Sequence, residues 1–132
     1  MGNLLFDASS LVFLLKLRKL KLLSNSYIHW LTVYEVANAL WKEAYMIGSI
    51  NAEEARKIID VLRGVVDVMN VLSPHPHEHE ILETAVKLGI TAHDASYIVL
   101  AKNNGFSLVT EDVELRDKAR KMIKVMSVSE IL

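Results

Sequence analysis

Apolar positions along the chain follow two alternating rhythms. Short aliphatic runs, fit for strands covered on both faces, predict strands over residues 3–6, 27–31, 68–72, 106–109 and 123–126. Between them apolar residues return every three or four positions, as on one face of a helix. The first helix follows Ala8-Ser9-Ser10, is apolar from Leu11 to Leu15, and turns basic at Lys16, Arg18, Lys19 and Lys21. A second, over residues 33–46, carries Val36, Ala37, Leu40 and Ala44 inward and stops at Gly48. Asn51 caps a third, through about residue 65, and residues 76–88 form a fourth that closes at Gly89. Thr91 with Asp94 three positions on has the form of a capping box, so a fifth helix starts there and ends at Asn103-Asn104-Gly105. The last covers residues 113–122.

Helices alternating with short aliphatic strands imply right-handed crossovers and a parallel sheet. The expected architecture is a single domain over residues 1–132, three α/β/α layers around a five-stranded parallel sheet. In such sheets ligands bind beyond the carboxyl ends of the strands, where helix N-termini also gather. Acids collect at that edge. Asp7 follows the first strand and Asp112 the fourth. Glu35 opens the second helix in the pattern Thr32-Val33-Tyr34-Glu35, and Asp94 opens the fifth.

Each acid has an ordinary explanation. Glu35 and Asp94 can be helix-start residues, at about 0.3–1 kcal/mol each. Asp7 and Asp112 can be strand-end turn residues. Together they are harder to explain, because two carboxylates about 5 Å apart repel by roughly 3 kcal/mol at an effective dielectric near 20. That exceeds the capping gain. Hard divalent cations with oxygen ligands, Mg²⁺ or Mn²⁺, are the natural neutralisers, and such ions equip a site for phosphoryl chemistry. Ser9 and Thr110, each two residues from an acid, are placed to orient carboxylates or water, and Asn38 lies one turn after Glu35.

Composition narrows the remaining classes. A hydrophobic fraction of 52% excludes a disordered chain, and no apolar run is long enough to span a bilayer. The chain has no cysteine, hence no disulfide framework or thiolate metal site, which fits a reducing cytoplasm. A net charge of −1 excludes a broad basic coat, so any nucleic acid must bind locally with help from metal ions. The basic stretch after Leu15 reads as a solvated helix face, part of which can line a phosphate-binding rim. High apolar content in a small chain also points to a second copy or a partner, with Leu11 to Leu15 and the helix after Glu35 as contributors.

The run His75-Pro-His77-Glu-His79-Glu80 has the look of a zinc site, but an exposed loop broken by proline offers the imidazoles no supporting groups, and the reading is against it. His93 lies at the acidic edge, where a helix-start residue and a catalytic base both remain open.

These residues resemble the PIN-domain ribonucleases, and among them the toxin halves of VapBC-type toxin–antitoxin pairs. The resemblance spans essentially the whole chain. It rests on LLFDASSLV, on Thr32, Glu35 and Asn38 as T-x-x-E-x-x-N, on HDASYIVLAKNNG and on LVTED, in that order. It implies that Asp7, Glu35, Asp94 and Asp112 form a metal-binding acidic quartet with Ser9, Asn38 and Thr110 in support. Glu111, Glu114 or Asp117 remain open as sharers of the role of Asp112. It further implies a homodimer that cleaves RNA with Mg²⁺ or Mn²⁺ and is silenced by a small antitoxin whose tail covers the acidic cleft. The alternative is a catalytically silent module that uses the same fold to bind RNA or protein. A phosphoaspartyl enzyme with Asp7 as nucleophile is disfavoured, because a dehalogenase-like site needs an acid where Ser9 stands.

Overall fold

The computed structural model describes residues 3–132. Five strands, β1 (Leu4–Phe6), β2 (Tyr27–His29), β3 (Asn70–Leu72), β4 (Ser107–Val109) and β5 (Val125–Met126), form one parallel sheet in the order β3-β2-β1-β4-β5. They alternate with α1 (Ala8–Leu17), α2 (Thr32–Trp41), α3 (Ala52–Val66), α4 (Glu78–Leu88), α5 (Ala92–Asn104) and α6 (Val113–Ala119), with α4 and α5 both between β3 and β4. The five-stranded parallel sheet and its flanking helices are as the sequence predicts.

The alternation of strand side chains separates two cores. Leu4, Phe6 and Val109 face α1, α2 and α3 through Leu11, Leu14, Leu15, Val36, Leu40, Ile58 and Leu62. Leu5 and Leu108, paired across β1 and β4, face α5 and α6 through Ile98, Ala101, Leu115 and Ala119. Each fully buried leucine or isoleucine contributes about 1.5–3 kcal/mol, so these two faces fix the layer order. Ile81 and Ala85 of α4 pack on Ala95 and Val99 of α5, outside the sheet.

Helix ends follow their local chemistry. Asn51 and Glu54 form a reciprocal capping box at α3. Gly48, Gly89 and Gly105 end helices with φ of +78°, +65° and +69°, a region costly to residues with a Cβ.

Several expectations are corrected. Thr32 does not cap α2: Leu31 holds the cap position without a side-chain bond, and Thr32 is fully buried. Ala37 is exposed, and Ala39 packs on the core in its place. Beyond Trp41 the helix widens into a π-helical turn over Lys42–Ile47 before Gly48. A 3₁₀ turn, Val128–Glu130, follows β5 and buries Val128. Within the run Leu11 to Leu15, Leu11, Val12, Leu14 and Leu15 lie inside the protein's own core, and only Phe13 is exposed, beside the exposed Leu17. The apolar groups left exposed include Trp30, Tyr34, Trp41, Tyr45 and Ile47, on and around α2.

Chain order makes one place in this sheet special. From β1 the chain builds outward through β2 and β3, then crosses back to place β4 on the other side of β1. The switch lies between β1 and β4, and a crevice opens beyond their carboxyl ends. The basic stretch lies elsewhere. α1 starts at this edge and runs about 15 Å toward the opposite one, carrying Lys16, Arg18, Lys19 and Lys21 away from the acids. Lys16 pairs with Glu43 there at 2.6 Å.

Candidate active site

Asp7 stands at the crevice, in extended backbone directly after β1, and is 6% exposed. Its Oδ1 accepts the backbone N–H of Ser10 at 3.0 Å and so caps α1. Two hydroxyls tie it to the turn after β4. Ser9 Oγ accepts the N–H of Glu111 at 3.0 Å and donates to Asp7 Oδ1 at 2.8 Å. Thr110 Oγ1 accepts the N–H of Asp112 at 3.1 Å and donates to Asp7 Oδ2 at 2.5 Å. Burial pushes the Asp7 carboxyl above its ordinary range, against the pull of these bonds.

Asp112 is exposed and caps α6, its Oδ1 accepting the N–H of Leu115 at 3.1 Å. The neighbouring acids are engaged elsewhere. Glu111 Oε1 accepts the N–H of Val128 at 2.6 Å, Glu114 pairs with Lys118 at 3.1 Å, and Asp117 with Arg120 at 3.3 Å.

Asp94 lies in the first turn of α5, half-buried, with Thr91 as the cap that accepts its backbone N–H at 3.2 Å. Its carboxyl is raised by burial first, then by the charges of Asp112, Asp7 and Glu35 in that order. Three acids, after β1, in α2 and in the turn after β4, thus lie within electrostatic reach of Asp94 in α5.

Glu35 sits in the first turn of α2. The hydroxyl of Tyr97 donates to its Oε1 at 2.5 Å, and His93 Nδ1 is 3.6 Å from its Oε2. Asn38 is exposed and lines the same cleft, about 440 Å³, with Glu35, Lys42 and His93. A second cleft of about 310 Å³ is bordered by Thr91, Asp94, Asp112 and Glu114. A wider groove of about 870 Å³ between α2 and α3 is lined by none of the four acids.

Of four polar residues behind Glu35, His29, Ser96 and Tyr97 escaped the sequence reading, and Thr32 entered it only as part of a helix-start pattern. His29, Thr32, Ser96 and Tyr97 are 0–4% exposed and bonded to one another. Burial drives the His29 imidazole down to about 4, with His93 adding to the shift. Burial and the charge of Glu35 push the Tyr97 phenol far above its usual value. One signal was available: Ala95 to Ala101 are all buried, and polar groups inside such a run require partners. The histidines of the run His75 to His79 part company, with His79 inside α4 and the other two before it. His75 pairs with Glu78, while His77 contacts Asn103 at 3.3 Å.

The donor set suits a hard divalent cation, because it is all carboxylate oxygen and its charges are mutually unfavourable. Among the described residues, however, no group of three or more acids or histidines stands close enough to hold an ion as it is. Asp94 feels the charges of the other three acids without the four forming a closed cage.

Known proteins share this fold. Residues 5–121 match the PIN domain. An exonuclease named VapC9 from Pyrobaculum aerophilum is 41% identical over 95 residues, 72% of this chain and 68% of that protein. A ribonuclease named VapC3 from the same organism is 35% identical over 88 residues, 67% of this chain and 66% of that one. The crystal structure of PAE2754 from Pyrobaculum aerophilum superposes with a TM-score of 0.80 at 34% identity, over 98% of this chain and 86% of that one. The DNA-bound VapBC complex from Salmonella typhimurium matches in fold, with a TM-score of 0.67 at 16% identity, over 96% and 98% of the two chains. With a family match across most of its length and an acidic edge at the sheet's switch point, this chain belongs to the PIN-domain family, among its VapC proteins.

Proposed function

We propose that this protein is a metal-dependent endoribonuclease, the toxin of a toxin–antitoxin pair, with Asp7, Glu35, Asp94 and Asp112 holding Mg²⁺ or Mn²⁺. The observation that carries the reading is the gathering of four acids from separate elements at one edge of the sheet, where Asp94, raised first by its burial, also feels the charges of Asp112, Asp7 and Glu35. A protein that needed Asp94 only for folding would gain by losing its charge. The nuclease names of the two Pyrobaculum relatives support the reaction class.

A bound divalent cation supplies a more acidic water and stabilises charge on the phosphate. The protein's own residues set where that happens. Ser9 and Thr110 fix both oxygens of Asp7, and the same hydroxyls hold the turn that presents Asp112. Tyr97 fixes one oxygen of Glu35. Asp94 projects from a helix N-terminus, whose partial positive charge favours anionic groups. Thus Asp7 is held inside the protein, and Glu35, Asp94 and Asp112 border the open clefts.

A small antitoxin that covers the acids and a second copy of this chain are the proposed partners. The apolar side chains left exposed around α2 support such contacts. Among the described residues no helix is long and apolar enough to cross a membrane, and an RNA substrate fits work in the cytoplasm.

The test uses partner-free protein, whose mass by light scattering also checks the dimer: a monomer at micromolar concentration removes the second copy. Circular single-stranded RNA with Mn²⁺ should be opened, and EDTA should stop the reaction. Circles left intact while linear RNA shortens from its ends would make the protein an exonuclease. RNA bound but uncut with Mn²⁺ would leave a binding module.

A further inference from the structure

The polar residues behind Glu35 carry more than their positions, because their protons can be counted. Ser96 Oγ donates to the carbonyl of His93 at 2.6 Å, and a carbonyl can only accept. Its single proton is therefore used, and the 2.9 Å contact with His29 is Nε2–H donating to Ser96 Oγ. His29 Nδ1 accepts the N–H of Leu31 at 3.1 Å, which requires the neutral ring and this tautomer. The second string is equally determined. Tyr97 gives its proton to Glu35 Oε1, so Thr32 Oγ1 is the donor in their 2.8 Å contact. Thr32 Oγ1 in turn accepts the N–H of His29 at 3.0 Å. No proton remains free to reverse either string.

Both strings start at His29 on β2. One ends on Glu35 in α2 and the other on the backbone of His93, next to Asp94 in α5. The phenol ring also packs on the imidazole, with centroids 4.1 Å apart. A phenylalanine would fill nearly the same space without the cost of burying a hydroxyl. The hydroxyl has one outlet, a carboxylate at the crevice.

We propose that Tyr97, supported by Thr32, is a positioning residue for Glu35: it engages Oε1 and leaves Oε2 toward the cleft. This rests on the reading of Glu35 as a metal-holding acid. A ligand held from behind in this way presents one oxygen at a fixed angle, and the cation need not order the side chain itself.

The test compares Tyr97→Phe, Thr32→Val, Thr32→Ser and Glu35→Gln in partner-free protein. Mn²⁺ affinity is read by calorimetry, melting temperature in EDTA, and kcat and KM on RNA. Tyr97→Phe should weaken Mn²⁺ binding about tenfold and lower kcat with KM little changed. Thr32→Val should shift both in the same direction by less, and Thr32→Ser, which keeps the hydroxyl, should restore them. In a Glu35→Gln background, Tyr97→Phe should cost no further Mn²⁺ affinity. A Tyr97→Phe protein with full Mn²⁺ affinity and kcat, whatever its melting temperature, would make Tyr97 a packing residue and overturn the proposal. If Tyr97→Phe does not fold, wild-type affinity and kcat in Thr32→Val overturn it instead. Should Glu35→Gln bind Mn²⁺ as the wild type does, Glu35 is no ligand, and that failure is distinguishable because the Tyr97 variants need not then be compared.

Discussion

The four acids fall into two pairs with different local duties. Asp7 and Asp112 each accept a backbone N–H three residues on and cap the helix they precede. Glu35 and Asp94 cap nothing: Glu35 follows an uncapped start, and Thr91 does the capping beside Asp94. Sequence reasoning expected the reverse, with helix-start duty for Glu35 and Asp94. Capping and membership of the acidic edge are therefore not rival explanations. Asp7 and Asp112 have partners whether or not a cation is present. Asp94 accepts no backbone N–H of its helix, and its carboxyl is raised by burial and then by the charges of the other three.

Replacing Asp7 tests the pair with local duties most severely. Asp7→Ala removes a cap, at about 0.5–2 kcal/mol, and leaves the buried hydroxyl donors of Thr110 and Ser9 without their acceptor, at about 1–3 kcal/mol each if nothing replaces it. Allowing for relaxation, urea unfolding in EDTA should show a loss of about 3 kcal/mol, together with loss of RNA cleavage. A loss under about 1 kcal/mol would mean that the hydroxyls find other partners and that Asp7 is less integrated than its bonds imply.

Asp94→Asn should do the opposite in EDTA. Its carboxyl is raised in the folded protein, so the folded state binds that proton more tightly than the unfolded chain does. The stabilisation this gives is present at low pH and is lost as pH rises from the ordinary carboxylate range through the raised value. The variant, free of that charge, should match the wild type in acid and become the more stable of the two toward neutrality. Working with this difference matters, because His29 has the opposite sign. Its folded value of about 4 against an ordinary 6.5 makes both proteins less stable as pH falls through that interval. With Mn²⁺ at about a hundred times its dissociation constant, the wild type should gain about 2.7 kcal/mol and the variant far less. An Asp94→Asn protein that melts lower in EDTA and keeps the full Mn²⁺ response would reduce the quartet to three.

The mildest expected change is Asp112→Ala. One exposed cap on a short helix should cost about 1 kcal/mol in EDTA, read by the same urea titration, while RNA cleavage is lost. Retained cleavage would pass the fourth position to a neighbour such as Glu111, although that carboxylate is engaged by the N–H of Val128.

The sheet was legible because its signals are local. Aliphatic runs mark the strands, and Gly48, Gly89, Gly105 and Asn51 mark helix ends through their own backbone or side-chain chemistry. The acids were legible through position, since each lies at a strand end or a helix start. The support behind Glu35 was not, because it joins residues 62–67 positions apart and no short window contains both partners. Thr32 misled directly: T-x-x-E looks like a capping box, but its hydroxyl serves His29 and Tyr97 instead. The turn over Val128–Glu130 was too short to leave a periodic pattern.

The central place of β1 has a consequence for timing. It is made first, yet its neighbour β4 spans Ser107–Val109, and the acids it helps to gather are spread from Asp7 to Asp112. A growing chain can pair β1 with β2 early, but the crevice gains its second wall only when β4 is inserted on the other side. Until the polypeptide has passed Asp112, the acidic edge does not exist in any form. Synthesis itself thus keeps the four acids from meeting until the chain has reached Asp112.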